Sequence, residues 1–290
     1  MLKGGLVALI SSVILVGCGG SGGGNGNGQV SPVEETTTAA TGVFEDSAVE
    51  GLQYVSGDIS GVTNAEGEFE YLVGEQVTFS IGDIVVGSAI GAQTITPVSL
   101  VAGAVDETNA VVTNIARFLQ TLDNDNNPDN GILITEDVRN LAQERTIDFD
   151  QSIFNFANDG NVQTIVAELS ALTSAGARGL ISQSQAQVHL SDTLIANFAG
   201  SYEGTFVGDD SGTWQFVANQ QGEIVGTGVS NSIGEFSFDG TVQSSGDSVF
   251  GATNTDTVFS AVIGSDGSIS GRWESLINAE GGTISGMLTE

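Results

Sequence analysis

The chain has 290 residues, with 36 acidic side chains against 6 basic ones, one His and one Cys. Hydrophobic residues make up 40% of the chain and charged residues 14%, so it can bury enough apolar surface to offset the entropy lost on folding. A short peptide and a fully disordered chain are therefore excluded. The formal charge of −30 argues against nucleic acid as a partner, because neutralising phosphates requires a basic surface.

The N-terminal segment has the features of a bacterial export signal. Lys3 supplies a short positive region, and residues 5–16 form an apolar run that is too short to span a bilayer as a mature helix. The run ends in a segment that resembles the lipobox of bacterial lipoproteins, with the residues Leu15, Val16, Gly17 and Cys18. The resemblance implies that residues 1–17 are a lipoprotein signal peptide and that the thiol of Cys18 carries a diacylglycerol. A secretory signal peptide that carries a Cys by chance is the alternative.

Lipidation would use the only cysteine of the chain and leave the mature protein without a disulfide or a thiolate metal ligand. By resemblance to lipoproteins in general, Gly19 in place of Asp implies transport to the outer membrane. Residues 18–41 are predicted to be a flexible tether, because residues 19–28 contain seven Gly and no apolar side chain. We therefore expect a folded head held at the outer membrane by its N-terminal lipid, on either the periplasmic or the extracellular face.

Residues 42–105 have the alternating pattern of β-strands, with Gly67 and Gly82 where tight turns need a positive φ. The alternating apolar side chains are Leu52 and Tyr54, Phe69 and Tyr71, and then Val77, Phe79 and Ile81. In residues 49–52 (VEGL) and 61–69 (GVTNAEGEF), the segment resembles the transthyretin-like or carboxypeptidase-regulatory-like β-sandwich modules of bacterial surface proteins. The resemblance implies a β-sandwich that serves as a spacer or a binding unit.

Residues 106–198 change to the period of helices. One apolar stripe consists of Val111, Val112, Ile115, Phe118, Leu119 and Leu122, and a second follows Asp159. Thr135 and Ser182 stand where helix N-caps are expected, and Gln185 is the capping-box partner of Ser182. The sequence predicts a small helical module. Residues 114–123 (NIARFLQTLD) are similar to a segment found beside the sandwich module in exported proteobacterial proteins, a likeness that spans residues 42–198.

Residues 199–290 are predicted to form an eight-stranded up-and-down β-barrel. Large residues share a strand face with Gly, as in the sets Phe236, Phe238, Gly240 and Val242, or Ile284, Gly286 and Leu288, which suits the tapered interior of a small barrel. The segments Gly204-Thr205-Phe206 and Gly212-Thr213-Trp214 are similar to those of avidin-like barrels. Trp214, Phe216 and Trp273 are the candidate ligand-binding side chains, and packing in the barrel core is the alternative interpretation of the tryptophans.

A loop rich in oxygen donors is the candidate metal site. Asp123, Asp125, Asn127 and Asp129 alternate directly after an amphipathic stripe, and hard cations such as calcium bind clustered oxygens. The loop departs from an EF-hand, because Pro128 replaces the required Gly and Ile134 the bidentate Glu. A solvated turn between helices is the alternative.

The sequence offers little catalytic chemistry. His189, the only His, is expected to pack on a helical stripe with Ala186 and Leu190, and no second His is available for a zinc site. A triad with Ser191 and Asp192 is disfavoured, because immediate neighbours on a helix point in different directions. The many carboxylates make any glycosidase-like pair expected by chance. We therefore expect a protein that is not an enzyme, and a hydrolase that uses dispersed carboxylates is the weakest hypothesis.

These patterns predict a multidomain α+β protein with an N-terminal β-sandwich (42–105), a central small helical domain (106–198) and a C-terminal eight-stranded up-and-down β-barrel (199–290). The favoured function is a non-enzymatic, outer-membrane-anchored surface lipoprotein that acts as a binding or adhesion module, stabilised by calcium. The alternative is uptake or carriage of an apolar small molecule inside the barrel. An interior filled by side chains favours the first function, and a cavity of a few hundred cubic ångströms favours the second.

Overall fold

The computed structural model describes residues 38–252 and 256–289. The predicted signal peptide, Cys18 and nearly all of the predicted tether lie outside the described residues. The first part of the described chain contains eight strands. They are β1 (Ala39–Phe44), β2 (Val49–Glu50), β3 (Gln53–Ser56), β4 (Ile59–Val62), β5 (Glu68–Leu72), β6 (Gln76–Ile81), β7 (Ile84–Ile90) and β8 (Thr94–Ile95).

Seven of these strands form two sheets whose aromatic side chains meet. One sheet has the order β5-β1-β8 and the other the order β4-β3-β6-β7. The rings of Phe44 on β1 and Phe79 on β6 lie 4.8 Å apart between centroids, and Phe69 on β5 lies 5.1 Å from Phe79. Gly67 and Gly82 have φ values of +75° and +58° in the turns where the sequence places them. The sandwich-like pair of sheets is therefore present.

Five helices follow, together with strand β9 (Ile132–Leu133). The helices are α1 (Ala110–Thr121), α2 (Glu136–Leu141), α3 (Ile153–Asn158), α4 (Gly160–Ser170) and α5 (Gln183–Ala196). Thr135 caps α2, and Ser182 forms the predicted capping box with Gln185 at the start of α5. Helix α3, which Ser152 caps, has only six residues and was not predicted, because so short a segment shows too little of the helical period.

The two sheets and the helices share one hydrophobic core. It contains Phe44, Phe69 and Phe79 from the strands and, from the helices and their connections, Phe118, Ile134, Phe156 and Leu169. Strand β9 also pairs in parallel with β2. The segments 42–105 and 106–198 are therefore joined by common packing. A smaller core lies between α1 and α5 and includes Val112, Ala116, Ala186 and Leu190.

The C-terminal strands form a closed antiparallel barrel, as the sequence predicts. They are β10 (Gly200–Gly208), β11 (Gly212–Ala218), β12 (Glu223–Ser230), β13 (Gly234–Val242), β14 (Asp247–Ala252), β15 (Thr257–Ile263), β16 (Ser268–Ser275) and β17 (Gly281–Leu288). Each strand pairs with the next, and β17 pairs with β10 to close the barrel. Phe198, just after α5, packs against the barrel core.

The predicted inward faces are buried, with one difference. Leu288, expected inside with Ile284, is 40% exposed, because it lies in the last residue of β17 at the end of the barrel. Inward glycines make room for the aromatic rings. A Cβ at Gly204 would lie 2.3 Å from Cζ2 of Trp214, and a Cβ at Gly286 would lie 2.3 Å from its Cη2. The alternation of Gly with large residues therefore has a direct steric cause.

Candidate functional site

The three candidate ligand-binding side chains of the barrel point inward and are buried. Trp214 stacks on Phe216 with 5.4 Å between ring centroids, and Trp273 meets Phe206 edge-on at 6.0 Å. The indole N–H of Trp214 donates to the carbonyl oxygen of Thr205 at 3.1 Å, and that of Trp273 to the carbonyl oxygen of Val207 at 3.3 Å. Both indole donors therefore bond to the barrel's own backbone, as expected for buried core tryptophans.

Four phenyl rings occupy the space next to these residues. Phe236, Phe238, Phe250 and Phe259 lie in mutual contact, with Phe250 and Phe259 stacked at 5.2 Å. At one mouth of the barrel a cavity of about 40 Å³ remains, bordered by Phe236, Phe259 and Trp273 together with Asp210 and Ser230. A drug-sized ligand needs several hundred cubic ångströms. Side chains, rather than a ligand space, fill the interior there.

The outer face of the barrel carries an open groove of about 1020 Å³ across β10, β11, β12 and β17. The backbone of Gly204, Gly228 and Gly286 also borders the groove, while the inward side of these glycines faces the rings of Trp214 and Phe236. A row of polar side chains, Glu203, Gln215 and Thr227, crosses three neighbouring strands in register. Val229 and Met287 add apolar surface to the same groove. This is a wide surface of mixed polar and apolar character on the outside of a closed barrel.

The oxygen-rich loop after α1 is organised by its own carboxylates. Asp123 is buried, and its two carboxylate oxygens accept hydrogen bonds from the backbone N–H groups of Asn127, at 2.7 Å, and Leu133, at 3.0 Å. Asp125 accepts from the same Asn127 N–H and from the side-chain amide of Asn130. Asp129 lies instead at 3.2 Å from His189. Of the four predicted ligands, Asp123 and Asp125 are thus held together, whereas Asp129 contacts a different part of the protein.

The carboxyl groups of Asp123 and Asp125 have pKa values shifted in opposite directions, because their surroundings differ. Burial raises the pKa of Asp123, an effect that its backbone hydrogen bonds partly oppose. Hydrogen bonds from Asn130 and from Asp123 lower the pKa of Asp125, which is exposed to solvent. Within residues 38–252 and 256–289, no group of three or more His, Cys, Asp and Glu side chains is gathered as a metal site. The calcium loop therefore stays a prediction.

His189 connects three separate parts of the chain, and its imidazole is only 11% exposed. Nε2 lies 3.1 Å from the Ser47 hydroxyl and 3.3 Å from the Asp46 carbonyl oxygen. Nδ1 lies 3.2 Å from Oδ1 of Asp129. Ser47 and Asp46 form the turn before β2, Asp129 lies in the oxygen-rich loop after α1, and His189 is on α5. The expected packed imidazole is therefore also a polar junction.

A buried carboxylate lies behind this junction. Oδ1 of Asp46 is 3.9 Å from Nε2 of His189, and the side-chain amide of Gln120 donates to both Asp46 carboxylate oxygens at 3.0 Å. Burial raises the pKa of Asp46 to about 6, although His189 and the Gln120 hydrogen bond act in the opposite direction. A carboxyl and an imidazole therefore share a site that is largely closed to solvent.

Sequence reasoning missed Ser47, and the only partners it weighed for His189 in a triad, Ser191 and Asp192, it disfavoured. Ser47 is 142 residues from His189, so no local spacing connects them. One signal was available, because adjacent Asp and Ser residues such as Asp46 and Ser47 are typical of a turn. Ser47 has a φ of +56°, which a non-glycine residue rarely adopts and which cannot be read from the sequence.

Comparison with known proteins leaves the family open. No protein-family model matches the chain, and a search of curated proteins finds no significant match. Across the described residues, no helix is both long and apolar enough to cross a membrane. The functional argument therefore rests on the residues and their geometry.

Proposed function

We propose that the chain is a lipid-anchored surface lipoprotein of the outer membrane whose folded head binds a ligand at the cell surface, as an adhesion module does. Two observations support this. The N-terminal sequence resembles a lipoprotein signal with Cys18 as the acylated residue. The barrel interior is filled by aromatic side chains such as Trp214 and Phe216, which favours ligand contact on the outer surface.

The filled interior is the observation that carries the proposal. A carrier of apolar molecules needs an internal space, and the cavity at the barrel mouth measures only about 40 Å³. The outer groove is far larger, and its Glu203, Gln215 and Thr227 side chains offer donors and acceptors to an extended polar ligand. Binding on the outer face of the barrel therefore has more support than carriage inside it.

Two matched substitutions test the groove. Thr227→Arg places a long side chain in the groove, whereas Thr241→Arg places the same side chain on β13, where Thr241 is also exposed but lies outside the groove. In cells that display the full chain, Thr227→Arg should reduce attachment to a surface at least tenfold, and Thr241→Arg should leave it within twofold. Equal attachment of both variants and the wild type would exclude this groove as the binding surface.

The membrane anchor is tested separately. Cys18→Ala removes the thiol that would carry the diacylglycerol, whereas Ser21→Ala changes a neighbouring residue of the predicted tether. We expect the Cys18→Ala chain to leave the membrane fraction or to stay unprocessed, and the Ser21→Ala chain to behave as the wild type. Mass spectrometry of the wild type should show an acylated Cys18, and the absence of acyl mass together with unchanged fractionation would refute the anchor.

A further inference from the structure

We propose that Ser47, His189 and Asp129 form a nucleophilic serine centre that cleaves short-chain esters of polar alcohols. This activity goes beyond surface binding and departs from the expectation, drawn from the sequence, that the protein is not an enzyme. Its residues come from three distant segments. The sequence pattern assigns Asp129 to the predicted calcium loop and His189 to helix packing, and it assigns Ser47 to no role.

The inference rests on two distances to His189 and on which of its ring nitrogens faces each partner. Ser47 Oγ lies 3.1 Å from Nε2 of His189, and Asp129 Oδ1 lies 3.2 Å from Nδ1. In the tautomer that places the proton on Nδ1, toward the Asp129 carboxylate, Nε2 presents its lone pair to the Ser47 hydroxyl. Ser47, His189 and Asp129 thus contact one another in the same order as the nucleophile, base and orienting carboxylate of serine hydrolases on unrelated folds.

The backbone of Ser47 provides an independent observation. Its φ of +56° is unfavourable for a residue with a side chain, and such strain is concentrated at functional sites. The N–H of Ser47 donates to the hydroxyl of Thr193 at 3.2 Å. Thr193 lies one turn after His189 on α5, and its own hydroxyl donates to the His189 carbonyl. One helix therefore holds both the base and the backbone of the nucleophile.

The surroundings of Nε2 suit the charged state that the reaction requires. When Nε2 takes the proton of Ser47, it gains the Asp46 carbonyl oxygen at 3.3 Å as an acceptor. The Asp46 carboxylate, held by Gln120, lies 3.9 Å away on the same side. Asp129 faces the opposite nitrogen. Carboxylates on both sides stabilise an imidazolium, which is the role of the acidic member of a catalytic triad.

A cleft of about 450 Å³ lies beside His189 and indicates the substrate class. Its walls include His189, Asp129, Gln120, Gln185, Ile181 and Asp192. Ser47 is half-buried and is not one of the lining residues, so only a small acyl group fits at its hydroxyl. The amide and carboxylate groups of the cleft can bind hydroxyls of the alcohol part, and the negative charge at Asp129 and Asp192 disfavours anionic substrates. A short-chain ester of a neutral polar alcohol meets these conditions.

The reaction is a two-step acyl transfer. Ser47 Oγ bonds to the ester carbonyl carbon while its proton passes to Nε2 of His189. The bond from that carbon to the alcohol oxygen then breaks, and the proton on Nε2 passes to the departing alcohol. Water repeats the sequence on the acyl-Ser47 ester with the same base, which releases the carboxylic acid and restores the hydroxyl. The two steps need no oxidant, metal or cofactor.

The wild-type protein supplies the primary test. The full chain in detergent is treated with a fluorophosphonate, which phosphonylates activated serines, and the modified residue is located by peptide mass spectrometry. Stoichiometric modification at Ser47 is expected, with loss of hydrolysis of p-nitrophenyl acetate. No modification under conditions that label a serine protease completely, or modification only at another residue, would overturn the proposal without any variant being needed.

Variants then distinguish a Ser47 hydroxyl that is activated by His189 from one that is merely exposed to the reagent. Ser47→Ala should abolish labelling, His189→Gln should slow it at least a hundredfold and Asp129→Asn about tenfold, whereas Ser191→Ala on the same helix should leave the rate unchanged. Labelling of Ser47 that is equally fast in folded His189→Gln protein would show an exposed serine without a base.

Discussion

Gln120 donates from its side-chain amide to both carboxylate oxygens of Asp46, each at 3.0 Å. This contact joins α1 to the turn before β2 and holds a fully buried acid 3.9 Å from His189. Because a buried carboxylate loses its hydration, its protonated form is favoured in the folded state. The burial of Asp46 therefore makes the stability of the fold depend on pH.

The first prediction concerns this dependence. The pKa of Asp46 is about 6 in the folded protein against 3.8 as its ordinary value. Stability from Asp46 is thus complete below pH 3.8 and is lost as pH rises through about 6. The loss amounts to roughly 3 kcal/mol, at about 1.4 kcal/mol for each pH unit between the two values. Asp46→Asn should not show this loss.

Denaturant unfolding from pH 4 to pH 8 measures the effect. The free energy of unfolding of Asp46→Asn should rise relative to the wild type by roughly 2 to 3 kcal/mol across this range. Asp58→Asn, at an exposed turn position, is the control for the removal of one acid from a highly acidic chain. A constant difference between Asp46→Asn and wild type at all pH values would contradict the prediction.

The second prediction concerns the glycines beneath Trp214. A Cβ at Gly286 would lie 2.3 Å from Cη2 of Trp214 and 2.4 Å from the carbonyl oxygen of Glu203. Neither a buried indole nor a paired strand can move easily, so Gly286→Ala should destabilise the protein by about 1 to 3 kcal/mol. Gly251→Ala is the control, because its nearest non-neighbouring atom would be 3.9 Å away. Equal melting temperatures for the two variants would refute the steric argument.

The third prediction is that the barrel folds alone. Its core consists of residues from β10 to β17 with Phe198 packed against it, and the Tyr202 hydroxyl donates to the Phe198 carbonyl at 2.9 Å. A fragment of residues 197–290 should therefore melt cooperatively and be more stable than one of residues 200–290. Trp214 and Trp273 are the only tryptophans, and both are buried, so emission should be blue-shifted. Red-shifted emission from the folded fragment would contradict the inward register.

The fourth prediction concerns calcium. If the loop binds calcium, millimolar calcium should raise the melting temperature more than magnesium does at equal ionic strength. Asp123→Ala with Asp125→Ala should remove that difference between the ions. The double variant will also be less stable without any metal, because the Asn127 and Leu133 N–H groups lose their acceptors. The decisive quantity is therefore the ion-dependent shift, and equal shifts in wild-type protein would leave only charge screening.

The barrel was predictable because the sequence pattern that specifies it lies within each strand. Each strand alternates inward and outward residues, and the inward face determines the register, so Trp214 and Trp273 could be placed from their immediate neighbours. The helix caps at Thr135 and Ser182 were predictable for the same reason. Leu288 was misplaced because alternation gives the face of a strand but not the point at which the barrel ends.

The polar contacts of α1 were not predictable in this way. An apolar stripe suggests that the opposite face is solvated, yet ten of its twelve residues are buried. Asn114 donates to the carbonyl oxygens of Phe149 and Gln151, and Arg117 to that of Ile181. These partners lie 35 to 64 residues away. Buried polar groups need partners, but the sequence does not say which distant segment supplies them.

The pairing of β17 with β10 has a consequence for association at high protein concentration. A closed barrel exposes no row of unpaired strand N–H and C=O groups, so neighbouring copies cannot extend it by strand addition. Among the described residues, the outermost strands of the other sheets are different, since β7 ends the order β4-β3-β6-β7 and bears the exposed Val85 and Ile90. Intermolecular strand pairing, where copies are dense, would therefore begin at β7 rather than at the barrel.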